Sequence, residues 1–500
     1  MAAGLNRASV MAINEETTEG TYVAPSAAGD FIPLRPGNEI KYEPVLLESD
    51  ELLNDIGGAK GLVGSDTCSF AHPAYLRHSG TEGGEPEMGI LWESLMGSKD
   101  VASTEYDTTS GSTTLKAVMP GGEGANFAAG QALLIKDGTN GYSIRNVSSV
   151  STDDLNFNFQ VSNAPASGVN TGKAVMYAPT SSGHPTFSAT KYIGNGHAIQ
   201  VGVGLTVTEA SISGEAGQLG TVDFSAEGTK YFQNPISITA STKYIDFTDD
   251  SGTWAASVAV DVYNNPEALA DALKTAMDDA STETYTVTYS HSTGKFTITY
   301  ASAATFSILW NTGANAANTI ATKIGFSAAA NSTGALTYTS ADAQTLTAGY
   351  TPVYDTADVI VFKSAELFVG GVTDNVCLET QSVSISIGKE VANVDDICEA
   401  TSVAEKIPVS RKVEMTVVAT LQKYDTILLD DIKNNTGISA MLNAGPKSGG
   451  NWVAGKCFNM YMQNCTVSDY SVAGDAFAQV TFKLTGFVTS TQKDVYINFI

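Results

Sequence analysis

The chain has 500 residues, a formal net charge of -26, and 43% apolar against 16% charged residues. That length allows roughly three or four domains at about 100–200 residues each, and the charge argues against a nucleic-acid-binding surface, which needs clustered Lys and Arg to displace phosphate counterions. No run approaches the ~18 apolar residues of a membrane span, and residues 1–30 hold no basic region followed by an apolar stretch, so neither a span nor a signal peptide is expected.

Gly, Ser, Thr and Ala fill much of the remaining composition, which suits many short strands and turns and predicts a mainly β protein. Five cysteines (Cys68, Cys377, Cys398, Cys457, Cys465) form no C-x-x-C pair, and they are expected to be reduced thiols buried as small hydrophobes.

In chain order, residues 1–38 end in Phe31-Ile32-Pro33-Leu34-Arg35-Pro36 and read as an N-terminal arm. A first unit, 39–97 with 184–231, opens with a strand around 40–42. A long acidic loop over 43–62 follows, carrying Asp50, Glu51 and Asp55, then an alternating strand over 67–76. A short amphipathic helix over 87–96 comes next, with Ile90, Leu91 and Leu95 on one stripe. Residues 98–183 read as an inserted small β module with strands at 132–136, 142–150, 155–159 and 174–177. Strands over 197–211 and 222–228 close the unit.

Residues 232–350 read as a second insertion, an α+β decoration. Strands at 244–247 and 256–262 precede a helix with Asn265 as N-cap, Pro266 at its first position, and Leu269, Leu273 and Met277 on one face. Strands 284–290 and 295–300 are expected to pair, and 314–323 to form a helix ending at Gly325. The second unit, 351–500, repeats the order of the first: a strand at 383–387, an acidic loop over 388–407 with Asp395, Asp396 and Glu399, a strand at 412–421, a helix over 425–433, and closing strands at 458–471 and 478–486.

The repetition is textual as well as structural. Thr206-Val207-Thr208-Glu209-Ala210-Ser211-Ile212-Ser213-Gly214 returns as Thr466-Val467-Ser468-Asp469-Tyr470-Ser471-Val472-Ala473-Gly474, and Val222, Phe224 and Gly228 return as Val480, Phe482 and Gly486. Upstream, Ile40, Leu52 and Leu76 match Ile385, Ile397 and Leu421 at a constant offset of 345. A chain that repeats one unit offers the same kind of edge twice, which points to assembly before catalysis.

This order, with the closing strands T-V-[ST]-[ED]-x-S-[IV]-x-G and V-x-F-x-x-x-G, resembles the tail-tube proteins of long-tailed, siphovirus-like bacteriophages over about half of the chain. The resemblance implies two tandem β-sandwich or barrel units whose inner strands join those of neighbours around a central channel. Three chains would then make a pseudo-six-fold ring, and rings would stack into a tube. It further implies that the loops 43–62 and 388–407 contact the next ring through Asp50, Glu51, Asp55, Asp395, Asp396 and Glu399. Other partners would be tape-measure, terminator and tail-tip proteins, with DNA passing through unbound, in a virion tail assembled in the host cytoplasm. An acidic wall would keep the duplex off the surface; Glu209, Asp223, Asp469 and Asp475 are the lumen candidates.

The sequence offers no catalytic set, cofactor motif or metal-ligand spacing: G-x-S-x-G, H-E-x-x-H and a P-loop are all missing, and the five histidines are scattered. Asp249-Asp250-Ser251-Gly252 lacks the spacing of a calcium loop and reads as a turn. The alternative reading is a surface adhesin or carbohydrate-binding decoration protein, which the Gly, Ser and Thr-rich insertions would suit. Exposed aromatic platforms would favour it, whereas Trp254 and Trp310 are expected in the core. A glycan hydrolase would need paired carboxylates on facing strands.

Overall fold

The computed structural model describes every residue except 1–5, 49–60, 102–103, 173, 195, 303–304, 372–374, 400, 422–429, 431–433, 435–436, 475–477 and 491. Strand accounts for 51% and helix for 9%, so hydrogen-bonded ladders rather than helix packing organise the chain, as the composition implies.

Eight strands form the first unit: β1 (Val10–Glu15), β2 (Phe31–Ile32), β3 (Glu39–Leu47), β4 (Leu62–Tyr75), β5 (Phe187–Ile193), β6 (Ala198–Glu215), β7 (Thr221–Gly228) and β8 (Lys230–Gln233). Eight more form the second: β9 (Glu366–Gly370), β10 (Asn375–Leu378), β11 (Thr380–Asp395), β12 (Val403–Thr420), β13 (Ile438–Ala444), β14 (Phe458–Ala473), β15 (Gln479–Gly486) and β16 (Tyr496–Phe499). Within its own unit, each strand of the second set has the neighbours of its counterpart in the first.

One layer of each unit is an antiparallel sheet in the order β3-β4-β7-β6, repeated as β11-β12-β15-β14. The other layer runs β2-β1-β5-β6-β8, repeated as β10-β9-β13-β14-β16. The long strands β6 and β14 serve both layers, turning from one into the other.

The register repeats to the residue. β3 and β4 slip between Val45 and Leu46, and β11 and β12 slip between Glu390 and Val391, 345 positions on. β6 slips against β7 between Val207 and Glu209, and β14 against β15 between Val467 and Asp469. β5 slips against β6 between Phe187 and Ala189, and β13 against β14 between Ile438 and Ala440. A bulge adds one residue and bends its strand, so these shared bulges explain how one strand turns the same corner in both units.

The N-terminal residues correct the expectation of an arm. β1 pairs along its length with β5, and β2 pairs with β1, so residues 10–15 and 31–32 belong to the first unit. Glu16 ties the following segment down: its buried carboxylate accepts hydrogen bonds from Thr186 Oγ1, Ser188 Oγ, and the backbone N–H groups of Gly20 and Gly204.

The helix α1 (Gly89–Met96) lies beneath the first unit's sheet, with Trp92 edge-on to Phe224 at 4.9 Å and 6.2 Å from Phe499 of β16. Its end is set by Gly97 in the left-handed region. Its expected counterpart over 425–433 lies largely outside the described residues. One continuous apolar core contains residues of both units, from Met11 to Phe499. The recurring glycine of V-x-F-x-x-x-G has a steric cause in the first copy, since a Cβ on Gly228 would sit 2.6 Å from Cys68 Sγ and 2.7 Å from the Val203 carbonyl oxygen.

The first insertion is a six-stranded sheet, including Ala132–Asp137, Gly141–Ser151 and Asp154–Phe157, around its own core. The strand expected at 174–177 is Val175–Pro179, and it lies elsewhere: it pairs with Gly97–Val101 and with β16. A buried asparagine cluster fastens the insertion to the second unit. Asn146 and Asn459 exchange side-chain hydrogen bonds at 2.8 Å, and Asn459 also meets Asn443 at 2.8 Å and Asn498 at 3.0 Å.

The second insertion has a separate core built on α2 (Pro266–Ala280). Asn265 caps α2 through a 2.8 Å bond to the Ala268 N–H, and Tyr285–Ser290 pairs with Lys295–Tyr300. The helix expected over 314–323 is instead two 3-10 turns, Ala316–Asn318 and Ala321–Ile324. The Ile320 N–H goes to the Tyr244 carbonyl at 2.8 Å, which breaks the helical ladder there. Trp310 is buried and Trp254 half-buried. Among the described residues no helix is long and apolar enough to cross a membrane.

Candidate assembly interface

The two four-stranded sheets meet edge to edge within the chain. Residues 209–215 of β6 pair antiparallel with residues 382–388 of β11, from Glu209 opposite Gly388 to Glu215 opposite Ser382. The result is one eight-stranded sheet in the order β3-β4-β7-β6-β11-β12-β15-β14. Strand alternation explains why this stretch of sequence builds it: Ala210, Ile212, Val383, Ile385 and Ile387 turn inward and are buried, while Glu209, Ser211, Ser213, Ser384 and Ser386 turn outward.

The outward face is largely polar, with Ala71, Pro73 and Val418 among its apolar members. Glu209, Asp223 and Asp469 lie on it and are exposed, whereas Asp475 lies outside the described residues. Neighbours on this face include Ser69, Ser225, Thr416, Thr481 and Thr485, with Lys41, Lys412 and Lys483 as its cations. Glu414 takes 2.8 Å and 2.9 Å ion pairs from Lys483 and Lys412, and those two contacts hold its carboxyl below the usual range. Lys41 pairs with Glu43 at 2.8 Å.

The two outer edges of this sheet are β3 and the second half of β14. Among the described residues no strand pairs with either edge. Val472, the counterpart of Ile212, is 50% exposed, while Ile212, covered by β11, is 0% exposed. The difference is the presence of a neighbouring strand.

The second acidic loop proves to be a hairpin; of the first, residues 43–47 and 62 are paired between β3 and β4, and 49–60 lie outside the described residues. In the second unit the ladder runs on to Asp395 opposite Val403, so only 396–402 forms the turn, and the twenty-residue loop is a correction. Lengthening the ladder satisfies backbone groups that a loop would leave to solvent. Asp396 shapes the turn by accepting the Cys398 N–H at 2.8 Å. Glu399 stands 4.0 Å from Lys230 of the first unit, and Ser402 Oγ donates to the Gly64 carbonyl, so this turn rests on the other unit of the same chain. Asp50, Glu51 and Asp55 lie outside the described residues. Exposed apolar side chains gather at the last described pairs of β3 with β4 and along the second hairpin, among them Val45, Leu46, Leu47, Leu62, Ile397 and Ile407, with Ile397 fully exposed.

The cysteines divide. Cys68, Cys457 and Cys465 are buried, and burial pushes the Cys68 and Cys457 thiols up to about 12; Cys377 and Cys398 are exposed, contrary to expectation. Sequence reading missed the asparagine cluster and the strands β1 and β2. Val10-Met11-Ala12-Ile13-Asn14-Glu15 carries no apolar–polar alternation, only four apolar residues in a row, and so short a run does not tell a strand from a buried helical turn.

No family model matches the chain, and no curated protein matches it. Among solved structures, a crystal structure of Hcp protein aligns over 26% of this chain and 96% of its own length, at 6% sequence identity and a TM-score of 0.17. A likeness that slight carries no argument about fold, assembly or function.

Proposed function

We propose that this chain is a structural protein rather than an enzyme, and that copies of it join sheet edge to sheet edge into closed rings that stack into a tube. One observation carries the reading. The chain already joins two equivalent sheets through β6 and β11, and among the described residues one edge of each kind is left unpaired at the ends. Unpaired edges template further strands, and closing them into a barrel removes them.

The sequence resemblance extends this reading to a bacteriophage tail tube of three chains per ring. The polar, net acidic sheet face would line the channel, since a face poor in free cations leaves a passing duplex with few phosphate contacts to break. The ends of β3 and β4 with Leu46 and Leu62, and the second hairpin with Ile397, would pack against the next ring, because exposed apolar clusters of this kind mark protein contacts. Tape-measure, terminator and tail-tip proteins would be the other partners, in a virion tail assembled in the host cytoplasm.

Negative-stain microscopy of the purified chain over a range of concentrations tests the proposal. Rings or open tubes with a hollow axis are expected. Compact monomers alone at high concentration would reject it.

A further inference from the structure

Resting on that assembly reading, we propose that the joint between chains copies the joint inside the chain, so that β14 of one copy pairs antiparallel with β3 of a second copy in one defined register. Ser471 then stands opposite Lys41, Val472 opposite Ile40, and Asp469 opposite Glu43.

The register follows from two offsets observed within the fold. β6 maps onto β14 by adding 260, because Leu205 and Gly202 meet β5 where Cys465 and Met462 meet β13. β3 maps onto β11 by adding 345, because Glu39 opposite Ala71 becomes Ser384 opposite Thr416. The internal pairs Ser211 with Ser386, Ile212 with Ile385 and Glu209 with Gly388 therefore translate into the three pairs named above. A slip by one residue would turn every inward side chain outward, so a buried face pins the register.

Two features of the free edges fit this joint. Val472 is 50% exposed on the inward face, the position at which Ile212 is sealed by β11. Charge is balanced on the diagonal, where Lys41 answers the directly facing carboxylates of Asp469 and Glu43. Inside the chain Ser386 Oγ donates to Glu209 Oε1 at 2.9 Å; the translated pair is Lys41 with Asp469. In the single chain Lys41 turns to Glu43 at 2.8 Å, and Asp469 accepts the neighbouring Tyr470 N–H at 2.8 Å. In the joint the Lys41 ammonium lies between Glu43 and Asp469, relieving the two facing carboxylates.

Disulfide trapping in the full-length chain, with Cys377 and Cys398 replaced by serine, tests the register. Directly opposed residues fall within the Cα separation of about 4.4–6.8 Å that a disulfide spans. Ser471→Cys combined with Lys41→Cys should yield covalent multimers on non-reducing gels. Ser471→Cys with Glu39→Cys or Glu43→Cys, displaced by two residues, should yield less than about a tenth as much. The internal pair Ser211→Cys with Ser386→Cys should oxidise within one chain.

Multimers preferring a displaced pair, or rings in micrographs with no multimers from any pair, would overturn the register while leaving the assembly reading standing. A parent chain that stays monomeric would overturn both. Should the internal pair fail to oxidise, charge exchange decides: Lys41→Glu should raise the concentration needed for assembly about tenfold, and adding Asp469→Lys should restore it. Lack of restoration would reject the register.

Discussion

Ser386 donates its hydroxyl hydrogen to Glu209 Oε1 across 2.9 Å, a bond that crosses from the second unit to the first on the outward face of the shared sheet. Directly beneath, Ile212 faces Ile385, both with no exposed surface. The polar bond sits in water and contributes about 1 kcal/mol or less; the apolar pair dominates the joint.

Truncating the internal pair should therefore be costly, and truncating its free counterpart should not. Ile385→Ala is expected to lower stability by about 2–5 kcal/mol. Val472→Ala in the dispersed chain should stay within about 0.5 kcal/mol. Urea unfolding at low protein concentration measures both, and equal losses would show that the β14 edge is already covered in the single chain.

His72 gives the first unit an acid sensitivity that its repeat lacks. Its ring is fully buried, stacks on Phe70 at 6.0 Å, and has no hydrogen-bond partner on either nitrogen among the described residues. Burial alone pushes its pKa from 6.5 down to about 4. Between those values the unfolded chain binds a proton that the folded chain refuses, so stability falls as pH drops through that window, by up to about 3 kcal/mol. Position 417, the counterpart, is Val. His72→Val should flatten the melting temperature between pH 7 and 4.5; an unchanged slope would exonerate His72.

Lys389 acts in the opposite half of the pH scale. Its buried Nζ donates to the Ser94 carbonyl at 2.6 Å and Thr206 Oγ1 at 2.8 Å, linking β11 to α1 and β6. Burial, helped by the Arg411 charge, lowers its pKa from 10.5 to about 7. The unfolded chain holds the proton that the folded chain has lost across that interval, so Lys389 makes stability rise from about pH 7 towards 10.5, by up to a few kcal/mol. Lys389→Met should remove that rise in pH-dependent melting curves relative to the parent.

The second insertion should melt by itself. Its core shares no residue with the main core, and Asp249 fastens it internally, accepting from Ser251, Trp254 Nε1, Ser281 and the Tyr285 hydroxyl, the last at 2.5 Å. Burial alone would raise the Asp249 pKa, but the hydrogen bonds from Ser281, Tyr285, Ser251 and Trp254 outweigh it and hold the carboxyl far below 3.8. The stability it contributes is lost only as pH falls below about 4 towards that depressed value. Asp249→Ala should cost about 2–5 kcal/mol in one calorimetric transition and leave the other unmoved. Deleting residues 236–348 should likewise preserve ring or tube formation by microscopy; loss of assembly in a chain that still folds would place the module at the joint.

Much of this architecture could be read from particular residues. Alternation in Ala210-Ser211-Ile212-Ser213 and its echo in Tyr470-Ser471-Val472-Ala473 marks strands with one buried and one wet face, and Asn265-Pro266 marks the start of α2. The short strands β1 and β2 were not legible, because residues 31–32 owe their strand geometry to Met11 and Ala12 and not to any local preference. The hairpin over 388–407 was misread as a loop for the same reason: Lys389, Glu390, Asn393 and Asp395 are poor strand formers, held in the ladder by their partners across β12.

By itself, the sequence determined that the chain is mainly β and that it repeats itself, since period-two alternation and matched spacing are local properties any reader of the residues can count. Only the tertiary structure decided that β6 meets β11, which bulges recur, and which edges stay open. Strand pairing joins residues far apart in the chain through backbone groups that every residue carries, so the partner of a strand is written in the packing and not in the letters.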